Sequence, residues 1–325
     1  MTPHLNKKAR LVFFGTPEFA ASQLNALAKA GHKVLAVVTA PDKPAGRGKK
    51  IQQSAVKILA LSLGIKVLQP TNLKDPDFVQ SLEIFAAEIF VVVAFRMLPK
   101  LVWELPPLGT FNLHASLLPD YRGAAPINHA VMNGETMTGL TTFFINEKID
   151  EGMIILQQKL EIGATENAGS LHDRMMLAGN SLINDTISLI MANEAEVHIQ
   201  EQSSDDKAAP KIFKEDCAIR WKNPIYKVYN QIRGLSPYPA AYIDFVSEDG
   251  RALRIKVFEA AIEEGRPQES LFSLLTDNKT YLKVALSEGY LHLLKVQFPG
   301  KKPLETVELL NGFKFDGKWQ VNTNL

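Results

Sequence analysis

The sequence predicts an α/β protein, with a doubly wound, mostly parallel sheet followed by a small carboxy-terminal antiparallel barrel or sandwich. Three observations predict it. Over the first part of the chain, short runs rich in Val, Ile, Leu and Phe alternate with amphipathic stretches, as in a sheet covered by helices on both faces. The texture breaks at EQSSDDKAAP (Glu201–Pro210), which is polar, rich in small residues and closed by a proline, the composition of a linker. Beyond it, short strand-like runs follow one another with glycine- and charge-marked turns, the pattern of a small antiparallel barrel or sandwich. The expected domains are therefore 1–200, a linker over 201–214, and 215–325.

Each element has a local reason. Arg10–Phe14 (RLVFF) reads as the first strand, Gly15-Thr16-Pro17 as its turn and Glu18–Ala30 as the following helix. Pro17 suits the first helical position, where a missing amide hydrogen does no harm. Lys33–Thr39 is the next strand and Ser54–Leu63 the next helix. Lys66–Leu68, Glu88–Phe95 and Thr110–Ala115 supply further strands. Gly139–Ile145 and Met153–Leu160 are separated by little chain and read as closely linked strands. Leu171–Met191 is a long helix, with Leu171, Met175, Leu182, Ile183 and Ile190 available for packing. In the second domain Asn223–Gly234 reads as a helix. Ala241–Val246, Leu253–Ala260, Thr280–Ala285 and Tyr290–Val296 read as strands. Trp221, Tyr238 and Trp319 are assigned to the core of that domain.

Composition narrows the function classes. The 325 residues are 46% apolar and 22% charged, which excludes wholesale disorder. A net charge of +1 argues against a bulk electrostatic nucleic-acid binder. Charge is unevenly placed, however. Lys43, Arg47, Lys49 and Lys50 fall within eight residues, spaced by Pro44, Gly46 and Gly48, a basic loop able to serve one nucleic-acid partner. A solvated surface turn is the plainer reading of the same residues. Residues 211–325 carry 17 basic and 14 acidic side chains, so the small domain is the slightly more basic one. The single cysteine, Cys217, excludes an internal disulfide framework and a cysteine-based zinc site, and fits a reducing compartment. Ile84–Phe95 carries Glu88 and is too short to span a bilayer, and Leu11–Phe14 is too short for a signal-peptide core. A soluble, cytoplasmic chain with no membrane partner is expected.

The first glycine loop has the topology of a dinucleotide site but not its residues. It lacks the second glycine of G-x-G-x-x-G, Pro17 removes a donor, and Glu18 adds negative charge where pyrophosphate would sit. A tight strand-to-helix turn is the better reading. The densest polar constellation lies between Asn112 and Asp150. Asn112 and His114 alternate with Phe111 and Leu113, which puts amide and imidazole on one face of a strand at the ligand edge of an open α/β sheet. A loop bounded by Pro119 and Pro126 follows, and Asp150 closes a second loop. A lone strand histidine is commonly structural. Together, though, an amide, an imidazole and a carboxylate form an acyl-transfer set: a donor to a developing oxyanion, a group that moves a proton, and a charge that orients it. G-x-S-x-G is absent, so the nucleophile belongs to a substrate. No H-E-x-x-H or clustered His/Cys spacing occurs, and no metal is expected.

These residues resemble a known family. FFGTPEFA, APDKPAGRGKK, FNLHASLLPDYRGAAPI, IDEGMI and SPYPAAY are similar to the corresponding segments of the methionyl-tRNA formyltransferases, and the likeness spans almost the whole chain. N-x-H…S-L-L-P is shared by all folate-dependent formyltransferases, whereas P-A-G-R-G-K-K is much more particular to the tRNA enzymes. Two segments depart from the family pattern: Asp120 stands where many relatives are basic, and Ala94–Pro99 is one residue shorter than A-Y-G-x-I-L-P. The resemblance implies a Rossmann-like catalytic domain with an oligonucleotide-binding (OB-like) barrel. It implies 10-formyltetrahydrofolate as donor and the α-amine of initiator methionyl-tRNA as acceptor. Carried over residue by residue, Asn112, His114 and Asp150 match the catalytic trio. Ser116, Leu117, Leu118 and Pro119 match the folate-binding turn. Arg47, with Lys49 and Lys50, matches the loop that engages the tRNA acceptor end. A monomer is expected. Two rivals stay open: a folate-dependent formyltransferase acting on a small amine, such as a nucleotide or sugar-nucleotide, and a non-catalytic RNA-binding protein.

Overall fold

Apolar strands covered from both sides pair most readily in parallel, and the first part of the chain does this. The computed structural model describes residues 8–45, 50–201 and 207–323. Seven strands build the first sheet: β1 (Arg10–Gly15), β2 (Lys33–Val38), β3 (Lys66–Leu68), β4 (Ile89–Val93), β5 (Thr110–His114), β6 (Met137–Phe144) and β7 (Ile154–Glu161). Their order is β7-β6-β5-β4-β1-β2-β3. The strands from β3 to β5 run parallel, while β6 and β7 add an antiparallel hairpin at one edge. The strand order reverses between β1 and β4, and the carboxyl ends at that reversal are where open α/β sheets hold ligands. β5 lies next to it.

Helices α1 (Glu18–Lys29), α2 (Ala55–Ser62), α3 (Pro76–Ile84) and α4 (Lys100–Trp103) connect these strands. Ser54 caps α2 by accepting from the Lys57 amide at 3.0 Å, a fixture that typically contributes about 1 kcal/mol. Pro17 sits one position earlier than the sequence suggests, as the cap of α1, where its extended backbone lets its carbonyl accept from Ala21 N. β4 stops at Val93, short of the expected Phe95, because Ala94 takes a left-handed φ of 47° and turns the chain out of the sheet. Phe14, Val38, Phe90 and Val92 form part of one fully buried layer against Phe78 and Leu82 of α3. On either side of residues 46–49, Lys43–Ala45 pair antiparallel to Lys50–Gln52.

The chain divides into two compact units whose segments interleave. The first comprises residues 1–123, 137–161 and 172–208; the second comprises 124–136, 162–171 and 209–325. Helix α5 (Pro126–Met132) belongs to the second, and the 25-residue α6 (Ala168–Ala192) begins in the second and continues in the first.

In the second unit α7 (Ile225–Leu235) precedes β8 (Ala241–Ser247), β9 (Ala252–Glu264), β10 (Leu274–Thr276), β11 (Leu282–Leu286), β12 (Gly289–Gln297), α8 (Thr306–Gly312) and β13 (Trp319–Val321). The strands order as β10-β11-β12-β9-β8-β13, all antiparallel. Val321 N donates to Phe272 O and Ser273 bridges Gln320, so the two edges nearly close into a barrel. The register of β9 slips around Glu259, the irregularity that bends a long strand around such a barrel. Trp221, Phe245, Ile232 and Trp319 fill its core. Tyr238 departs from the sequence reading: it is 83% exposed. Buried Ser236 and Ala240 hold the ends of its turn, and the Ala240 amide reaches back to Leu235 O, so the residue at the apex faces outward.

Candidate active site

The site begins with alternation along β5. Phe111 and Leu113 are buried, while Asn112 is half-buried and shares its face with His114, which is 7% exposed. Asn112 makes no side-chain hydrogen bond to any described residue. A half-buried amide with open donors is costly unless something else binds it, which makes it the first pointer to a ligand.

His114 is held on one edge and open on the other. Its Nε2 lies 2.9 Å from Tyr121 O. A carbonyl only accepts, so Nε2 carries the hydrogen and proton exchange is left to Nδ1. Nδ1 faces Asp150 Oδ2 at 3.8 Å, close enough to sense its charge and too long for a direct hydrogen bond.

The turn after β5 hangs on Thr141 of β6, which pairs with His114 across the sheet. The Thr141 hydroxyl donates to Ser116 O at 2.7 Å and accepts from Leu118 N at 3.1 Å and Gln157 Nε2 at 3.0 Å. Gln157 Nε2 also donates to Leu118 O, and Ser116 Oγ donates to Asp120 O at 2.6 Å. The Leu118–Pro119 peptide is cis. Leu117 covers Gly139, where a Cβ would lie 2.4 Å from its Cδ2. The hydrogen bonds of Thr141, Gln157 and Ser116 tie the backbone of residues 116–120 to β6 and β7.

Asp150 is positioned by its main chain as much as by its side chain. It adopts a φ of 55°, uncommon for a residue with a Cβ. Its Oδ2 accepts from Gly123 N at 3.0 Å, and its carbonyl accepts from Arg122 Nε and Gln200 Nε2. Two residues on, a Cβ at Gly152 would fall 1.6 Å from Phe144 O, so only glycine lets the loop rejoin the sheet.

The structure therefore brings together Asn112, His114, Asp150 and the Ser116–Pro119 turn. Arg47 and Lys49 lie outside the described residues, and Lys50 opens the second of the two paired strands. Those strands are rooted by Asp42, which accepts from Lys57 Nζ at 2.7 Å and Gln69 Nε2 at 2.8 Å; these bonds, Lys57 first, hold its carboxyl below the usual range. Sequence reasoning missed Thr141, Gln157 and Gln200, since a polar residue on a strand or at a linker edge carries no signal until its partners are known. Arg122 and Gly123 lay within a segment already singled out. In the first unit a cleft of about 760 Å³ is lined by Thr71, Leu73, Arg96, Leu98, Pro99 and Leu101. Among the described residues no group of three His, Cys, Asp or Glu could hold a metal, and no helix is long and apolar enough to cross a membrane.

Comparison with known proteins shows the family of the chain. Residues 9–187 match the formyl transferase family, and residues 211–314 match its C-terminal domain. The methionyl-tRNA formyltransferase of Bacteroides thetaiotaomicron is 48% identical over 96% of this chain and 98% of its own length. That of Flavobacterium johnsoniae is 50% identical over 97% and 99%. A sugar 3N-formyl transferase, WlaRD, solved with dTDP and 5-N-formyl-THF, has a TM-score of 0.64 at 18% identity, covering 91% of this chain and all of that one. HypX of Aquifex aeolicus in complex with tetrahydrofolic acid scores 0.63 at 16% identity, over 96% of this chain and 49% of that one. At such identities the two structures speak for the fold.

Proposed function

We infer that this chain, which belongs to the methionyl-tRNA formyltransferase family, transfers a formyl group from a folate donor to the free amine of methionyl-tRNA. The donor in this reading is 10-formyltetrahydrofolate and the acceptor is the initiator tRNA. The observation that carries it is the meeting, at one strand end, of an unpartnered Asn112 amide, His114 and Asp150 in a chain so similar to those enzymes over its whole length.

The transfer forms a bond from the acceptor nitrogen to the formyl carbon, breaks the donor's bond from nitrogen to that carbon, and moves one proton from the attacking to the leaving nitrogen. Asn112 donates to the oxygen on which negative charge develops. His114, with Nε2 tied to Tyr121, works through Nδ1, and Asp150 Oδ2 beside it stabilises the imidazolium. The 116–119 turn offers its half-buried Leu117 and Pro119, with Leu118 packed behind them, a lining that suits a flat heterocycle better than a phosphate. Arg47, Lys49 and Lys50 reach the acceptor end, with Arg47 positioning the amine and the lysines contacting phosphate. Functionally, residues 1–200 form the catalytic domain, 201–214 the linker and 215–325 the tRNA-holding domain of a cytoplasmic monomer. The test is formyl transfer to initiator methionyl-tRNA, with uncharged tRNA, elongator methionyl-tRNA and an amino-sugar nucleotide as alternative acceptors. Transfer to the amino sugar in preference to the tRNA replaces this reading with the small-amine one.

A further inference from the structure

We propose that Gln200, acting with Arg122, is a positioning residue for the Asp150 carboxylate, a role that rests on the reading of the site given above. Gln200 lies between the two segments that match the family, at the point where the composition turns linker-like. The chain after α6 nevertheless returns to the sheet. His198 and Ile154 exchange backbone hydrogen bonds of 2.8 and 2.9 Å, which lays this segment against the start of β7 and brings Gln200 under the Asp150 loop.

There Gln200 is only 7% exposed, and both ends of its amide are used. Nε2 donates to Asp150 O at 2.9 Å and to Gly152 O at 2.8 Å. Oε1 accepts from Arg122 Nε at 3.1 Å and from its second terminal nitrogen at 2.6 Å. Arg122 Nε reaches Asp150 O as well, at 3.2 Å, and the next residue, Gly123, donates its amide to the Asp150 carboxylate. Two carbonyls facing one way and a guanidinium facing the other require a side chain with two donors and an acceptor at this length. Glutamine meets that demand; glutamate lacks the donors and methionine lacks both functions.

What the clamp holds is an unfavourable backbone. Aspartate tolerates a φ of 55° better than most residues with a Cβ but still at a cost, and here the hydrogen bonds from Gln200, Arg122 and Gly123 offset it. With Nδ1 of His114 already 3.8 Å from Oδ2, a small relaxation of residue 150 takes the carboxylate out of reach of the imidazole.

The test compares Gln200→Glu, Gln200→Met and Asp150→Asn by single-turnover transfer to initiator methionyl-tRNA across a pH series, with folate and tRNA affinities and thermal melting measured alongside. Both Gln200 variants are expected to slow transfer by about 10–100-fold at unchanged affinities, the size of a small misplacement of a reacting group. They should alter the acid limb of the rate profile as Asp150→Asn does. Combining Gln200→Glu with Asp150→Asn should be no slower than Asp150→Asn alone, because both act on one group. Should Gln200→Met fail to fold, Gln200→Glu, which keeps the acceptor for Arg122, carries the comparison. A slow Asp150→Asn beside wild-type Gln200 variants, or a fully multiplicative double variant, overturns the clamp and leaves the site standing. A wild-type rate in Asp150→Asn overturns the reading of the site and the clamp together.

Discussion

His114 and His129 make the same hydrogen bond and stand in different chemistry. Each sets Nε2 against a backbone carbonyl, Tyr121 O at 2.9 Å for His114 and Pro210 O at 3.0 Å for His129. His129 lies on α5 in the second unit, where burial pushes its pKa below 6.5 against the opposing pull of the Pro210 carbonyl and Asp216. No carboxylate comes within ion-pair distance of it among the described residues. His114 has Asp150 beside its second nitrogen and an unsatisfied amide on its own strand face. A carbonyl bond fixes a ring; the neighbours of the other edge make it reactive.

The sharpest way to break this comparison is kinetic. Asn112→Ala and His114→Ala are each expected to slow the chemical step by about 10²–10³-fold, the cost of losing a group that acts on the developing charge. His129→Ala should transfer at the wild-type rate per folded molecule. Equal losses at the two histidines in single-turnover assays would erase the distinction.

Thr141→Val comes next. It removes the hydroxyl that joins Ser116 O, Leu118 N and Gln157, with an expected cost of about 1–3 kcal/mol in urea unfolding and weaker folate binding. A stability loss with unaltered folate affinity would show that the 116–119 turn is only scaffold. Gly15→Ala tests the opposite kind of loop. A Cβ there would lie 2.6 Å from Ala20 Cβ and 2.8 Å from the Phe13 ring, so overpacking of about 1–2 kcal/mol is expected with folate affinity kept. Loss of folate binding beyond that of stability would move the ligand to the first glycine turn.

The smallest effect belongs to His129. Its folded pKa is depressed, so the unfolded chain takes up the proton first as pH falls below 6.5. Its contribution to stability is complete above that pH and is lost as pH falls through the folded value. His129→Gln, measured by denaturant midpoint, should remove that part of the acid slope; an unchanged slope assigns it to other groups.

Much of the site could be read before any fold was known. Asn112 and His114 declared themselves by alternation at a strand end, because the two-residue period of a strand is written in the order of residues. Asp150 entered through a loop whose shape rests on Gly152, and its left-handed backbone gave no advance sign. Among the three-residue strands, β3 was legible between two helical stretches, whereas β10 and β13 carry too few residues to show a period. Tyr238 misled for a related reason: an aromatic beside prolines in a small domain reads as core, and only the ends of its turn decide where the ring points.

The sequence by itself determined the class of fold, the polar pair on β5, and the family, since these depend on local order along the chain. Tertiary structure alone decided which edge of His114 is open, how Thr141 braces the turn, and that Gln200 holds Asp150 from 50 residues away. Those are contacts between side chains and remote backbone atoms. Their existence depends on where distant segments come to lie, and hydrophobic periodicity carries no record of it.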